Sequence, residues 1–259
     1  MPSSSSGSAE RARAIAAAAF IVPTALSTAV AALLLGASAA SAASTTKRQA
    51  FCNAALAADA ITGEPSSAAA AKVYAAKFVP IMATASKNAV PALAQPLRTV
   101  TDVFTKAATT GAGGGFETPA FGQAVSKLEG WVYDNCGFKR VSVTAADFTY
   151  TGVPANLPAG NTSFSVKNTG KEFHEFIVMR RKDGVNDAVV DIFKAGPESA
   201  ATKLDQVGAG SAVAPGTTSG LVSTLTPGRY VYVCFIPSGV KHDGPSHFAK
   251  GMYGEFTVA

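Results

Sequence analysis

Charge is scarce in this chain. Asp, Glu, Lys and Arg make up 15% of its 259 residues, against about a quarter in an ordinary globular protein. No Lys/Arg-rich run with interleaved aromatics occurs. The nearest cluster, Arg180-Arg181-Lys182, runs straight into Asp183 and reads as a solvated strand end. With a net charge of only +5, this leaves no footprint for nucleic acid, and no nucleic-acid partner is expected. Signatures of catalysis are missing too: no Ser/His/Asp grouping, phosphate loop or dinucleotide fingerprint is present. Gly111 to Gly115 is glycine-rich, but no strand precedes it and no Lys follows, so it reads as a connector between helices. Histidine and cysteine are limited to three residues each. No second histidine cluster could build a catalytic or multinuclear metal centre. The chain is therefore not expected to be an enzyme.

What is present begins with an export signal over residues 1–43. Arg11 and Arg13 supply its positive start, Ala14 to Leu35 carry no charge, and small residues with A-x-A sites such as Ala40-Ser41-Ala42 follow. The apolar stretch is also about as long as the ~20 residues of a membrane span, so an uncleaved N-terminal anchor is the alternative. Either way the remainder is expected outside the cytoplasmic membrane, secreted, periplasmic or at the cell surface. Thiols in such a compartment tend to pair. Three cysteines leave one over. Cys52 and Cys136 lie in one half and are expected to form a disulfide. Cys234 lies in the other, held as a thiolate by a metal; a simply unpaired buried thiol is the other reading.

Two segments of different grammar follow. Residues 44–138 are rich in Ala, Leu, Lys and Gln, good helix formers. Breaks at Gly63-Glu64-Pro65-Ser66, Asn88 to Pro91 and Thr109 to Thr118 divide them into four helices, at about 46–61, 67–87, 92–108 and 118–136. Val73, Phe78, Ile81 and Met82 share a face of the second. Leu93, Leu97, Val100 and Phe104 make an apolar stripe on the third, and Phe121, Val125, Leu128 and Val132 on the fourth. Short connections favour antiparallel neighbours and hence a small bundle. From Val141 onward, β-branched and aromatic runs alternate between turn residues, which indicates a β-sandwich over 141–259. A stretch around Val185 to Ala201 interrupts it with room for a short helix. The whole is expected to be α+β: an N-terminal helical bundle, then an all-β sandwich.

All three histidines, His174, His242 and His247, fall in the β half, with the odd cysteine and Met252. Cys234 ends the run Tyr230-Val231-Tyr232-Val233-Cys234. A twelve-residue loop leads to His247, and Met252 follows just before a last apolar-alternating run. Thiolate, imidazole and thioether form a soft donor set suited to copper that changes oxidation state. A second imidazole is needed, and His174 supplies it from a separate strand.

In this order the residues resemble the cupredoxins, the blue-copper family that includes the plastocyanin- and azurin-like proteins. The N-T-G-x-x-x-H stretch from Asn168 to His174 is similar to that family's first ligand segment. Gly228 to Cys234 resembles its G-x-Y-x-Y-x-C strand, and His247 to Met252 its H-x-x-x-G-M end. The resemblance covers about 141–259. It implies a Greek-key sandwich, one type 1 copper ion held by His174, Cys234, His247 and Met252, and one-electron transfer. Two departures stand out. The Cys-to-His loop carries an insertion, with His242 inside it as an alternative ligand. Glu175 takes the place, straight after the first histidine, where the family usually has a bracing Asn. Asn168 and Glu175 are expected beside the ligands, where such neighbours tune a metal strongly. The resemblance also places His247 near solvent, with Phe235, Ile236, Pro237 and Phe248 as a docking patch. The implied partner is a redox protein or a copper-handling protein. Copper capture and delivery, or a metal-free structural module, are the alternatives to electron transfer.

Overall fold

A computed structural model describes residues 39–62, 65, 67–210, 212–239 and 243–259. Most of the expected export signal, and His242, lie outside the described residues. Four helices come first: α1 (Ala39–Asp59), α2 (Ala68–Asn88), α3 (Ala94–Thr110), entered through a 3₁₀ turn at Pro91–Leu93, and α4 (Pro119–Asn135). Their ends follow local chemistry. The Ser67 hydroxyl accepts from the Ala70 N–H and the Thr118 hydroxyl from the Phe121 N–H, capping α2 and α4. Gly111, at φ +76°, closes α3 in the left-handed conformation.

Phe78, Met82, Leu93, Leu97, Val100, Phe121 and Val132 form the core between these helices. The stripes on α3 and α4 face inward as expected. On α2 the inward face is Phe78, Met82 and Ala85; Val73 is 65% exposed and belongs to the solvent side. Cys52 in α1 and Cys136, just past α4, form a disulfide.

The second half is a two-sheet sandwich. One sheet has the order β2-β1-β4-β7, from Thr149–Thr151, Lys139–Ala146, Gly160–Asn168 and Thr218–Leu225. The other has the order β3-β9-β8-β5-β6, from Asn156–Leu157, Tyr253–Val258, Gly228–Val233, Ile177–Arg181 and Leu204–Ala209. The chain crosses repeatedly between sheets, so β1 lies parallel to β4 and β3 parallel to β9, while every other pairing is antiparallel. Burial alternates along the strands, and Val141, Val143, Phe164, Val166, Phe176, Val178, Leu221, Tyr230 and Phe256 fill the space between the sheets. Two short helices, α5 (Val189–Lys194) and α6 (Pro197–Lys203), occupy the interruption between β5 and β6.

The bundle covers an edge of this sandwich. Strand β7 ends its sheet, so alternate N–H groups point away from β4. Asp59, last residue of α1, accepts the Val222 N–H at 2.6 Å. Glu129 of α4 accepts the Gly220 N–H and the Ser219 hydroxyl, both at 2.7 Å. Val222 itself packs into the bundle core.

Candidate metal centre

Four ends of the sandwich's chain segments meet at one point. His174 follows β4 through a tight turn. Asn168 ties that turn: its amide donates to the Glu172 and Val213 carbonyls, both at 2.7 Å, and its side-chain oxygen accepts the Gly170 N–H at 2.8 Å. His174 then exchanges backbone hydrogen bonds with Val213, at 3.2 and 2.6 Å. These bonds fix the backbone that carries its ring.

Cys234 follows β8. Its N–H donates to the Met252 carbonyl at 3.1 Å and its carbonyl accepts the Phe248 N–H at 2.7 Å. His247 donates from its N–H to the Ile236 carbonyl, and Met252 from its N–H to the His247 carbonyl, both at 2.9 Å. These four bonds close the base of the long loop. Among the described residues of the insertion, Pro237 is bridged to Ser246 and the Ser238 N–H donates to the Pro245 carbonyl, so the two arms run as a narrow ribbon. The added length therefore leaves Cys234 and His247 adjacent. Met252 is drawn in by a 3₁₀ turn at Phe248–Lys250 that ends at Gly251, φ +97°; only glycine takes such a turn without strain.

His174, Cys234, His247 and Met252 are all 0% exposed. The donor atoms of His174, Cys234 and His247 lie within 4.8 Å of one another. The two Nδ1 atoms are 3.1 Å apart, and the Cys234 Sγ is 3.3 Å from the His247 Nδ1. Met252 is buried, and its backbone is bonded to that of Cys234 and His247.

The outer side of each imidazole meets a carboxylate. Glu172 Oε2 is 3.0 Å from the His247 Nε2, and Asp147 Oδ1 is 3.4 Å from the His174 Nε2, a longer and weaker contact. Both acids are themselves held. Burial would push Asp147 up, but the Lys171 and Glu172 N–H groups, together with His174, bring it below the usual range. Burial acts likewise on Glu172, and the Gly239 N–H, His247 and Lys250 outweigh it. The His174 imidazole is pushed down, first by burial and then by His247. Burial, then the Glu175 carboxylate, pushes the Cys234 thiol up to about 12.

These features test what the site can hold. Glu172, in hydrogen-bond contact with the His247 Nε2, favours a proton on that outer nitrogen and leaves the His247 Nδ1 lone pair facing the Cys234 sulfur. The His174 Nδ1 reaches the same point, while its Nε2 makes no hydrogen bond and has Asp147 3.4 Å away. A soft cation can take all three donors, and it would also supply the charge that makes so buried a thiol ionise. Two imidazole nitrogens, a thiolate and a nearby thioether are a blue-copper donor set, so the residues fit copper. The order Cys–His–carboxylate would also describe a nucleophilic triad. A working nucleophile needs a lowered pKa and access, and Cys234 has neither.

Glu175 is buried, and its Oε1 accepts the Phe235 N–H at 2.7 Å. A carboxylate here braces the residue next to Cys234. The Tyr150 hydroxyl donates to the Glu175 carbonyl, and burial raises the Tyr150 phenol well above its ordinary value. One expectation fails: His247 is not near solvent. Glu172 caps its Nε2, the Phe148 ring stands edge-on at 5.1 Å, and Lys250 lies 4.0 Å above that ring. Ile236, assigned to an exposed patch, is buried as well. Asp147 and Glu172 were missed by sequence reasoning. Glu172 stands two residues after the N-T-G run and Asp147 on a separate turn well before it, and both look like ordinary solvated turn residues.

No protein-family model matches the chain, and no curated protein matches it. Among solved structures it is similar to auracyanin from the photosynthetic bacterium Roseiflexus castenholzii: 20% identity, 47% of this chain, 97% of that one, TM-score 0.33. Auracyanin A of Chloroflexus aurantiacus, a "blue" copper protein, is similar at 17% identity over 46% of this chain and 99% of that one, TM-score 0.30. Rusticyanin from Thiobacillus ferrooxidans is similar at 22% identity over 47% and 78%, TM-score 0.28. All three are cupredoxins and match the C-terminal half, and the cluster of His174, Cys234 and His247 fits a type 1 copper site.

Proposed function

We propose that this chain is an exported protein whose domain over 141–259 binds one type 1 copper ion and carries single electrons between partner proteins. The observation that supports it most is the meeting of three donors in one buried pocket: the Cys234 Sγ lies 3.3 Å from the His247 Nδ1, which lies 3.1 Å from the His174 Nδ1. A copper ion in that pocket supplies a one-electron couple. The chain's own residues supply rigidity. His174, Cys234, His247 and Met252 are each fixed by backbone hydrogen bonds to another strand or loop, so little rearrangement accompanies a change of charge. The same burial favours a resident ion over one in transit, which sets electron transfer above copper capture and delivery.

Export is supported by the charged, apolar and small-residue order of 1–43, and by the Cys52–Cys136 disulfide, which suits an oxidising compartment. Among the described residues, no helix is long and apolar enough to cross a membrane. The domain over 44–138 serves, in this proposal, as a cover for the β7 edge.

Loading the full protein with Cu(II) tests the assignment. A strong blue colour that bleaches on reduction is expected. His174→Ala and Cys234→Ala should each abolish it, because each removes one of the strong donors. Met252→Leu should keep the colour and shift the potential, a thioether being the weakest donor of such a set. Colourless, tight Cu(I) binding would favour delivery instead, and colour surviving in Cys234→Ala would refute the ligand set.

A further inference from the structure

We propose that Asp147 and Glu172 are positioning residues that set both the orientation and the potential of the centre. Glu172 locks the His247 imidazole with Nδ1 inward, Asp147 faces the His174 ring, and the charge of both favours the oxidised ion. The potential is a property of bound copper, so this part rests on the functional reading above. The orientation does not.

The argument starts from the rings. An imidazole that gives Nδ1 to a metal leaves Nε2–H without a partner unless something outside accepts it. Here an acid stands at each outer position, Glu172 in hydrogen-bond contact with the His247 Nε2 and Asp147 3.4 Å from a His174 Nε2 that makes no hydrogen bond, and each acid is built into the fold. Glu172 Oε2 takes the His247 Nε2 at 3.0 Å and also the Gly239 N–H at 2.7 Å. Gly239 belongs to the inserted ribbon, so the insertion clamps Glu172 against His247. Asp147 Oδ1 takes the Lys171 N–H at 2.8 Å and the Glu172 N–H at 3.3 Å while facing His174. The two acids are thus coupled through one turn, with Asp147 gripping the backbone of Glu172.

Charge follows from position. Two carboxylates lie one imidazole away from the ion, and a third, Glu175, lies beside Cys234. The oxidised ion carries one more positive charge than the reduced one, so surrounding anions stabilise it more. Lys250 offsets part of this from above Phe148. The side chains of Asp147 and Glu172 remain 33% and 24% exposed, so water screens the effect without cancelling it. The shorter contact at Glu172 makes it the stronger of the two.

The experiment uses the full chain, with Glu172→Gln and Asp147→Asn. Each amide keeps an acceptor oxygen and removes the charge. In copper-loaded protein the ratio of Cu(II) to Cu(I) affinity should fall 10- to 100-fold for Glu172→Gln. That is a rise in potential of about 60 to 120 mV, at 59 mV per tenfold for one electron. Asp147→Asn should give a smaller rise, and the blue band should persist in both. Imidazole ¹⁵N spectra of metal-free protein give the second readout. Wild type should carry the His247 proton on Nε2, and Glu172→Ala should lose that preference. Unchanged or lowered potentials in both amide variants would overturn the charge assignment. A wild-type His247 protonated on Nδ1 would overturn the positioning. Wild-type protein that takes up no copper would instead refute the functional reading, while the ¹⁵N spectra still decide the orientation.

Discussion

Gly170 matters to the metal centre through what it does not carry. A Cβ there would collide with the Asp147 Oδ1 and lie 2.8 Å from the His174 Nε2. The carboxylate and imidazole can meet only because that position is bare. Gly170→Ala should force them apart at a cost of about 1–3 kcal/mol and lower copper affinity 10- to 100-fold. Thermal melting with a copper titration checks both; wild-type affinity in the variant would mean that Asp147 does not hold the ring. The sequence shows why such a role escapes notice. His174, Cys234, His247 and Met252 stand out because soft donors are rare here and occur in a recognisable order. Asp147, Gly170 and Glu172 are residue types that any turn contains. Only the approach of two turns in space gives them work, and no local spacing encodes that approach. Phe148, beside Asp147, holds φ +66° without being glycine. The backbone there is constrained by the turn that delivers Asp147 to His174 and sets its own ring against His247.

At the level of elements, the contact between bundle and sandwich is a problem of hydrogen bonds. An edge strand offers unpaired N–H groups that invite other chains. On β7 two of these are taken by Asp59 and Glu129. Burial pushes Asp59 up to about 7, and burial together with the Asp59 charge pushes Glu129 up to about 8. Both residues are half-buried, with their carboxyl groups turned onto the β7 backbone. Their folded values lie above the ordinary 3.8 and 4.5. Between about pH 4 and pH 8 the unfolded chain has released protons that the folded chain retains. The stabilisation is therefore complete at the acidic end and is lost as pH rises through 7 to 8. Urea unfolding at pH 5 and pH 8 should show a loss on the order of a few kcal/mol. The double variant Asp59→Asn with Glu129→Gln should flatten that slope. Identical slopes in variant and wild type would show that the two acids are ionised in the folded protein. The four helices were legible from their breaks and stripes. Their docking was not, because Asp59 and Glu129 occupy positions where any polar residue satisfies the helical pattern.

For the whole molecule, the question is whether bundle and metal centre depend on each other. The disulfide joins α1 to the end of α4 across 84 residues, just before the chain enters β1. Closing a loop of that length is worth about 4 kcal/mol through the entropy of the unfolded chain, and this gain falls on the bundle and its hold on β7. The hydrogen bonds that fix the four proposed ligands all come from the sandwich half. The two halves should therefore separate in experiment. Cys52→Ser with Cys136→Ser should lower the unfolding free energy by up to that amount, while the copper colour and potential stay as in wild type. A thiol titration of unfolded, unreduced, metal-free protein should find one sulfhydryl, that of Cys234, and three after reduction. A colour change in the double serine variant would show that the strain of an unpinned bundle reaches the ligands through β7 and β4, the strand that leads to His174. That route runs along one sheet edge, so a coupled centre should lose the His174 contact before the Cys234 and His247 contact, and ¹⁵N spectra of the two rings would tell them apart.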